Sequence, residues 1–320
     1  MLTGQHPALD LGEHGLAGFD AVSLRCRGQD DPRAFAAAAA TRLADRLLDR
    51  PALLIVQGDT SSAFGGALAA DALDIPLAHV EAGLRTHDPL LPWPEEEFRV
   101  AIDARADLLF APTEVSAANL RAEGVSGAIH VTGNTGIDAA LAAATDLPAS
   151  PGGPPSLLVT CHRRESWGEG LQAIAAALAE LAQTAAIDVV LHPNPRVAAT
   201  VRAHLDGVDG IRLCPPCSHR ELLARMRVAT ITLSDSGGIQ EEAAALGAPL
   251  LVLRDKTERP EAISTGNMIL VGTDRARIVA EVQRLLADPS ALAAMAHPAF
   301  PYGDGQAGPR IAAIVESWLR

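Results

Sequence analysis

LLIVQGDTSSAFGGALAADALDIPLAHVEAGLR, residues 53–85, opens on a short apolar run, Leu53–Gln57, and turns through Gly58-Asp59-Thr60. It passes through an alanine-rich stretch, Ala63–Leu73, into a second apolar run, Leu77–Val80. Continuous apolar runs, rather than alternating ones, indicate strands buried in a parallel sheet. A helical stretch between two of them is a crossover unit. The same rhythm recurs outward in both directions. Further candidate strands are Leu108–Ala111, Ile129–Thr132, Leu157–Cys161, Ile187–His192, Ile211–Cys214, Thr230–Leu233, Pro249–Leu253 and Met268–Val271. Helical stretches such as Ser116–Glu123, Gly170–Gln183 and Ile239–Leu246 lie between them. The expected class is α/β, built from two Rossmann-like doubly wound domains facing a cleft.

The stretch Leu147–Ser156, LPASPGGPPS, is too rich in Pro and Gly to continue a helix or enter a central strand. It is therefore the expected linker. Residues 1–150 would form an N-terminal domain and 151–302 a C-terminal one. Residues 303–320 would add a helix that packs back on the first domain.

Composition narrows the classes. With a net charge of −13, the chain lacks the basic excess of a nucleic-acid binder. No apolar run approaches the ~18 residues of a membrane span, and the first residues carry no secretory pattern. A cytoplasmic protein is expected. Lys256 is the single lysine, which argues against a Schiff-base lysine or a GxxxxGK phosphate loop. Cys214-Pro-Pro-Cys217 has CxxC spacing but no second ligand pair, so metal and redox roles are not expected. Gly168-Glu-Gly170-Leu-Gln-Ala173 matches a dinucleotide fingerprint in letters only. It does not directly follow its strand, and the next strand ends in His192 rather than an acid. NAD is excluded on that ground.

The unusual polar residues cluster just after strands, at the edge where α/β proteins bind ligands. Gly58-Asp59-Thr60, His79-Val-Glu81, Cys161-His162-Arg163, His192 and Asp235-Ser236-Gly237-Gly238 all occupy such positions. Ser236-Gly237-Gly238 is the best anion site. Ser236 can cap the helix that follows, and the glycines let backbone N–H groups approach a phosphate at a helix N-terminus. Glu242, about a turn further on, is placed to accept from ribose hydroxyls. Pro92-Trp-Pro-Glu95-Glu96-Glu97-Phe-Arg99 is compatible with an ordinary acidic first helical turn, with an ion pair between Arg99 and Glu95, or with a carboxylate carried into a site.

Taken together, GDT (58–60), HVEAGLR (79–85), PWPEE (92–96) with Arg99, TGNT (132–135), HRRES (162–166), DSGGIQEE (235–242), RDKTERPEA (254–262) and PYGDGQA (301–307) resemble the non-hydrolysing UDP-N-acetylglucosamine 2-epimerases. The resemblance runs from about Thr3 to the C-terminus. It implies a glycosyltransferase-B-like fold, a homodimer, no metal and no cofactor. It also implies interconversion of UDP-N-acetylglucosamine and UDP-N-acetylmannosamine, in the service of envelope polysaccharide synthesis. By motif, Asp59, Glu81, Glu95 and His162 would form the catalytic set, with Arg99 supporting the carboxylates. Arg163, His192, Ser236, Gly237, Gly238, Glu242 and Arg259 would bind substrate. Main chain near Cys217 and Leu222 would frame the uracil.

The chemistry needs such a set. The C2 proton is not next to a carbonyl, but loss of UDP from C1 makes the C1–C2 unit oxocarbenium-like. A carboxylate can then remove the proton to give a 2-acetamidoglucal. The family also opens with a strand, a Gly-Thr-Arg-Pro-Glu turn, a helix and most of a second strand. Here Met1–His6 corresponds to the end of that second strand, so the first sheet is expected to be shortened. The competing expectations are a glycosyltransferase of the same fold, a hydrolysing epimerase, and a non-catalytic UDP-sugar-binding remnant.

Overall fold

The computed structural model describes residues 18–26, 31–47, 49–147, 153–161 and 168–320. The chain divides into two compact units, one comprising 1–132 with 310–320 and the other 133–309. The division at Thr132/Gly133 precedes the expected boundary at 150.

In the first unit, α1 (Pro32–Ala44) leads into β1 (Leu54–Gln57), α2 (Ser61–Leu73), β2 (Leu77–Val80), α3 (Glu95–Asp103), β3 (Leu108–Ala111), α4 (Glu114–Glu123) and β4 (Ala128–Val131). The four strands are parallel and lie in the order β1-β2-β3-β4. β2 and β3 are buried at every residue; β3 is apolar throughout and β2 is apolar except for His79. β1 differs. Among the described residues it has a partner on one side only, and Ile55 is half exposed. Alanines and glycines of α2 pack closely on β1. A Cβ on Gly66 would stand 2.7 Å from Val56, which is why this helix is small-residue rich.

In the second unit, α5 (Thr135–Ala144) precedes β5 (Ser156–Thr160), α6 (Glu169–Leu181), β6 (Ala186–Val190), α7 (Pro195–Leu205), β7 (Ile211–Cys214), α8 (His219–Val228), β8 (Ile231–Ser234), α9 (Gly237–Leu246) and β9 (Leu250–Val252). It continues through α10 (Glu261–Ser264), β10 (Met268–Leu270), α11 (Arg275–Ala287) and α12 (Pro289–Met295). Its six parallel strands lie in the order β10-β9-β8-β5-β6-β7. The strand order therefore reverses between β5 and β8, the switch point at which doubly wound sheets bind ligands. One core packs α6 and α11 on one face of the sheet, and another packs α5, α8 and α9 on the other.

The last helix, α13 (Ala307–Trp318), starts in the second unit. Ala307 N–H and Gly308 N–H donate there to the Asp138 carboxylate at 3.1 and 2.7 Å. From Arg310 it belongs to the first unit, where Ile311 packs against Ala78, Val80, Leu108 and Phe110 of β2 and β3.

Candidate active site

At the carboxyl end of β1 the chain turns at Gly58, whose φ of +66° suits glycine. Thr60 then caps α2 by accepting from Ala63 N–H at 3.2 Å. Asp59 is thereby held at the sheet edge with its side chain one-quarter exposed. Its Oδ2 accepts from Arg99 Nε at 3.0 Å and also from Arg99 Nη2. Arg99 itself is buried and donates through Nη1 to Glu96 Oε2 at 2.9 Å.

The acidic run at the start of α3 therefore has divided uses. Glu96 is buried, and its carboxylate accepts from the backbone N–H of Thr86 at 3.0 Å and of His87 at 2.9 Å. Glu97 pairs with Arg33 of α1. Glu95, half-buried, opens the helix. Arg99 thus pairs with Glu96, three positions earlier in the same run.

Glu81 follows β2. It is a non-glycine residue at φ +73°, a conformation that costs of order 1–3 kcal/mol. A Cβ on Gly58 would stand 3.3 Å from Glu81 Oε2. The Glu81 carboxylate is thus against the turn that carries Asp59. Behind both turns lies a buried network that sequence reading missed. His79 Nδ1 meets Asp103 Oδ1 at 2.6 Å, and Asp103 Oδ2 accepts from Gly83 N–H at 3.1 Å. Arg85 Nη2 lies 2.8 Å from Asp103 Oδ2 and pairs with Glu123. Burial alone would raise the Asp103 pKa, but His79 and Arg85 outweigh it and hold the carboxyl below its ordinary value.

In the second unit, a cavity of about 340 Å³ opens at the carboxyl ends of β5, β6 and β8. It brings together His192, Cys217, Leu222, Ser236, Gly238 and Glu242 from the expected set. It also recruits Thr160, Cys161 and His219. A volume of a few hundred Å³ suits a small-molecule ligand. Asn194 N–H donates to His192 Nδ1 at 3.1 Å, fixing the ring at the rim. Ser236 occupies the N-cap position of α9 but makes no side-chain capping bond, contrary to expectation. Its own N–H donates to Ser234 Oγ at 3.0 Å instead. The start of α9 faces the cavity without that cap, which suits a helix N-terminus that receives an anion.

Glu242 Oε1 lies 2.8 Å from His219 Nε2, and this contact raises the His219 pKa, with burial opposing it. The partner is a residue 23 positions earlier on another helix, so no local sequence pattern could announce it.

Gly237 and Arg259 do not line the cavity. They lie behind it, where a Cβ on Gly237 would stand 2.6 Å from Arg259 Nη1. Arg259 is buried, with Nε 2.6 Å from Glu241 Oε1 and Nη1 on Glu258. Asn134 Nδ2 donates to the other Glu241 oxygen at 2.7 Å. Tyr302 completes this layer by donating to the Arg259 carbonyl at 2.8 Å and accepting from Ala262 N–H at 3.1 Å. Cys214 and Cys217 are free thiols, and burial, followed by Glu221, raises the Cys217 pKa. His162 and Arg163 lie outside the described residues.

Known proteins match nearly the whole chain. The family model for UDP-N-acetylglucosamine 2-epimerase matches residues 1–316. A probable UDP-N-acetylglucosamine 2-epimerase of Ralstonia nicotianae is 44% identical over 287 residues, covering 84% of this chain and 76% of that protein. The UDP-N-acetylglucosamine 2-epimerase of Escherichia coli K12 is 44% identical over 280 residues, covering 82% and 74%. Among solved structures, the UDP-GlcNAc 2-epimerase of Neisseria meningitidis bound to UDP-GlcNAc superposes with a TM-score of 0.89 at 34% identity, covering 96% of this chain and 87% of that one. With two parallel sheets, a cavity at the second sheet's switch point and this match over residues 1–316, the chain belongs to the UDP-N-acetylglucosamine 2-epimerase family.

Proposed function

We propose that this protein interconverts UDP-N-acetylglucosamine and UDP-N-acetylmannosamine by eliminating and re-adding UDP. The observation that carries the mechanism is the pairing of Glu81 with the Asp59 turn in the first unit. Two carboxylates on neighbouring turns, one tied to Arg99, form an acid/base set. In the forward direction the C1–O bond to the diphosphate breaks and the electron pair leaves with UDP. A carboxylate of the first unit takes the C2 proton, and the C1–C2 double bond forms. Protonation of C2 from the opposite face and return of UDP to C1 complete the inversion.

The second unit supplies the anion clamp. Backbone N–H groups at the start of α9 receive the diphosphate, and Glu242 accepts from the ribose. His192, Cys217 and Leu222 line the same cavity and bound the base. Arg259 and Gly237 hold the clamp from behind, through Glu241 and Glu258. Asp59, Glu81, Glu95 and His162 are the proposed acid/base and sugar-contacting groups, and Arg163 a substrate contact. The family membership supports a homodimer acting in the cytoplasm without a metal or organic cofactor, in a polysaccharide-building pathway.

The test is to run the reaction in D2O and read C2 of the product by NMR. Deuterium at C2 is the expected result, with D59N losing at least ~100-fold in turnover. Product with only protium at C2 would rule out elimination. Free UDP accumulating with N-acetylmannosamine would identify a hydrolysing enzyme instead.

A further inference from the structure

Both ring nitrogens of His79 face acceptors. Nε2 lies 3.0 Å from the carbonyl oxygen of Gly58, which can only accept, and Nδ1 lies 2.6 Å from Asp103 Oδ1. The ring is fully buried, as is Asp103. The second Asp103 oxygen already accepts from Gly83 N–H and faces Arg85 Nη2 at 2.8 Å. A carboxylate that accepts from a backbone N–H and pairs with a guanidinium is the ionised form, so the ring nitrogen facing it donates. From this geometry we infer that His79 is held as a buried imidazolium and is a positioning residue that ties together the two turns carrying Asp59 and Glu81. One N–H fixes the carbonyl of Gly58, the residue before Asp59. The other reaches, through Asp103, the N–H of Gly83, two residues after Glu81.

The charges around the ring are accounted for on each side. α3 contributes Asp103, and Arg99 one turn earlier, which is occupied with Asp59 and Glu96. The segment after β2 contributes Arg85, paired onward to Glu123 of α4, and Glu81 against Gly58. The turn after β1 contributes Asp59. On β3 the register partner of His79 is Leu109, which carries no charge. One aspartate between an imidazolium and a guanidinium leaves the cluster with an excess positive charge, and Glu123 balances it. Such a device suits a site in which Asp59 and Glu81 must stay close despite like charge. It also accounts for a strained φ at Glu81, since the tie through Gly83 constrains the segment that follows it.

This rests on the acid/base reading of Asp59 and Glu81, and the test separates the two. Heteronuclear NMR of the ¹⁵N-histidine-labelled protein at neutral pH reads His79 directly, without activity. Two protonated ring nitrogens are expected. One protonated and one bare nitrogen would mean a neutral imidazole, and would overturn the inference. Turnover is then compared for the wild type, H79Q and H79N. The Gln amide reaches the Nε2 position and keeps the tie to Gly58, whereas the Asn amide reaches only the Nδ1 position. The expected order of kcat is wild type, then H79Q, then H79N. H79N should lose roughly 10- to 100-fold, the scale of an ångström of misplacement, with KM and UDP affinity unchanged. A folded H79N with wild-type kcat would overturn the positioning role. An inactive wild type with a doubly protonated His79 would count against the epimerase reading and leave the imidazolium standing.

Discussion

Glu242 is the residue on which the proposed nucleotide contact and pH meet. It is mostly buried, lines the cavity and bonds to His219. Because the pair raises the His219 pKa, its contribution to stability is fully present below the ordinary histidine value of ~6.5. That contribution is lost as pH rises through the folded-state value. E242Q should therefore lower the His219 titration midpoint measured by NMR. It should also weaken UDP binding by about 1–3 kcal/mol in calorimetry, the cost of a lost buried hydrogen bond. An unmoved midpoint would mean that the pair does not persist in solution. UDP affinity equal to wild type would remove Glu242 from the ribose contact.

At the scale of elements, the segment between β9 and β10 carries Arg259 and is pinned from a distance. Tyr302, fully buried, gives its hydroxyl proton to the Arg259 carbonyl and accepts from the N–H of Ala262 in the first full turn of α10. Burial pushes the Tyr302 pKa well above its ordinary value, followed by the effect of Glu261. The phenol is thus neutral at any working pH. Y302F keeps the ring and removes both bonds. It should cost about 1–3 kcal/mol in denaturant unfolding, because Ala262 N–H and the Arg259 carbonyl are left buried without that partner. UDP affinity should fall with it if Arg259 supports the SGG turn. A variant as stable as wild type would show that water or relaxation replaces the hydroxyl.

For the molecule as a whole, acid is the expected point of failure, and the first unit the place where it starts. The Asp103 pKa is lowered, so its stabilising effect is present above the unfolded value of ~3.9 and is lost as pH falls through the folded value. Thermal scans between pH 7 and 3 should show stability dropping at the acid end. D103N should flatten that limb and cost about 3–5 kcal/mol at neutral pH, since it strands His79 and Arg85 without their anion. A D103N protein with wild-type stability at pH 7 would show that the network is not a stabilising one. UDP, as the proposed ligand of the folded chain, should raise the melting temperature, by the equivalent of ~2.7 kcal/mol at a hundredfold excess over Kd.

What the amino-acid order determined by itself is whatever depends on neighbours in the chain. Mainly apolar runs such as Leu108–Ala111 and Leu157–Cys161 mark central strands within a residue or two, because burial on both faces favours apolar side chains. The small residues of α2 and the turn at Gly58 are legible for the same local reason. Tertiary structure alone decided which carboxylate does what. Glu95, Glu96 and Glu97 are alike in sequence, yet one opens a helix, one clamps the Thr86 and His87 amides, and one pairs with Arg33. Arg99 and Asp59 meet across 40 positions, and Glu242 meets His219 across 23. His79 offered no signal beyond a place in an apolar strand. Its partners come from the turn after β1 and the end of α3, which become neighbours only once the sheet has formed. The helix that ends the chain reads as amphipathic, but its division between two units follows from which buried surfaces it meets, Asp138 at one end and β2 with β3 at the other. Hydrogen bonds and charge pairs act over a few ångströms of space, and only the fold converts distance along the chain into distance in space.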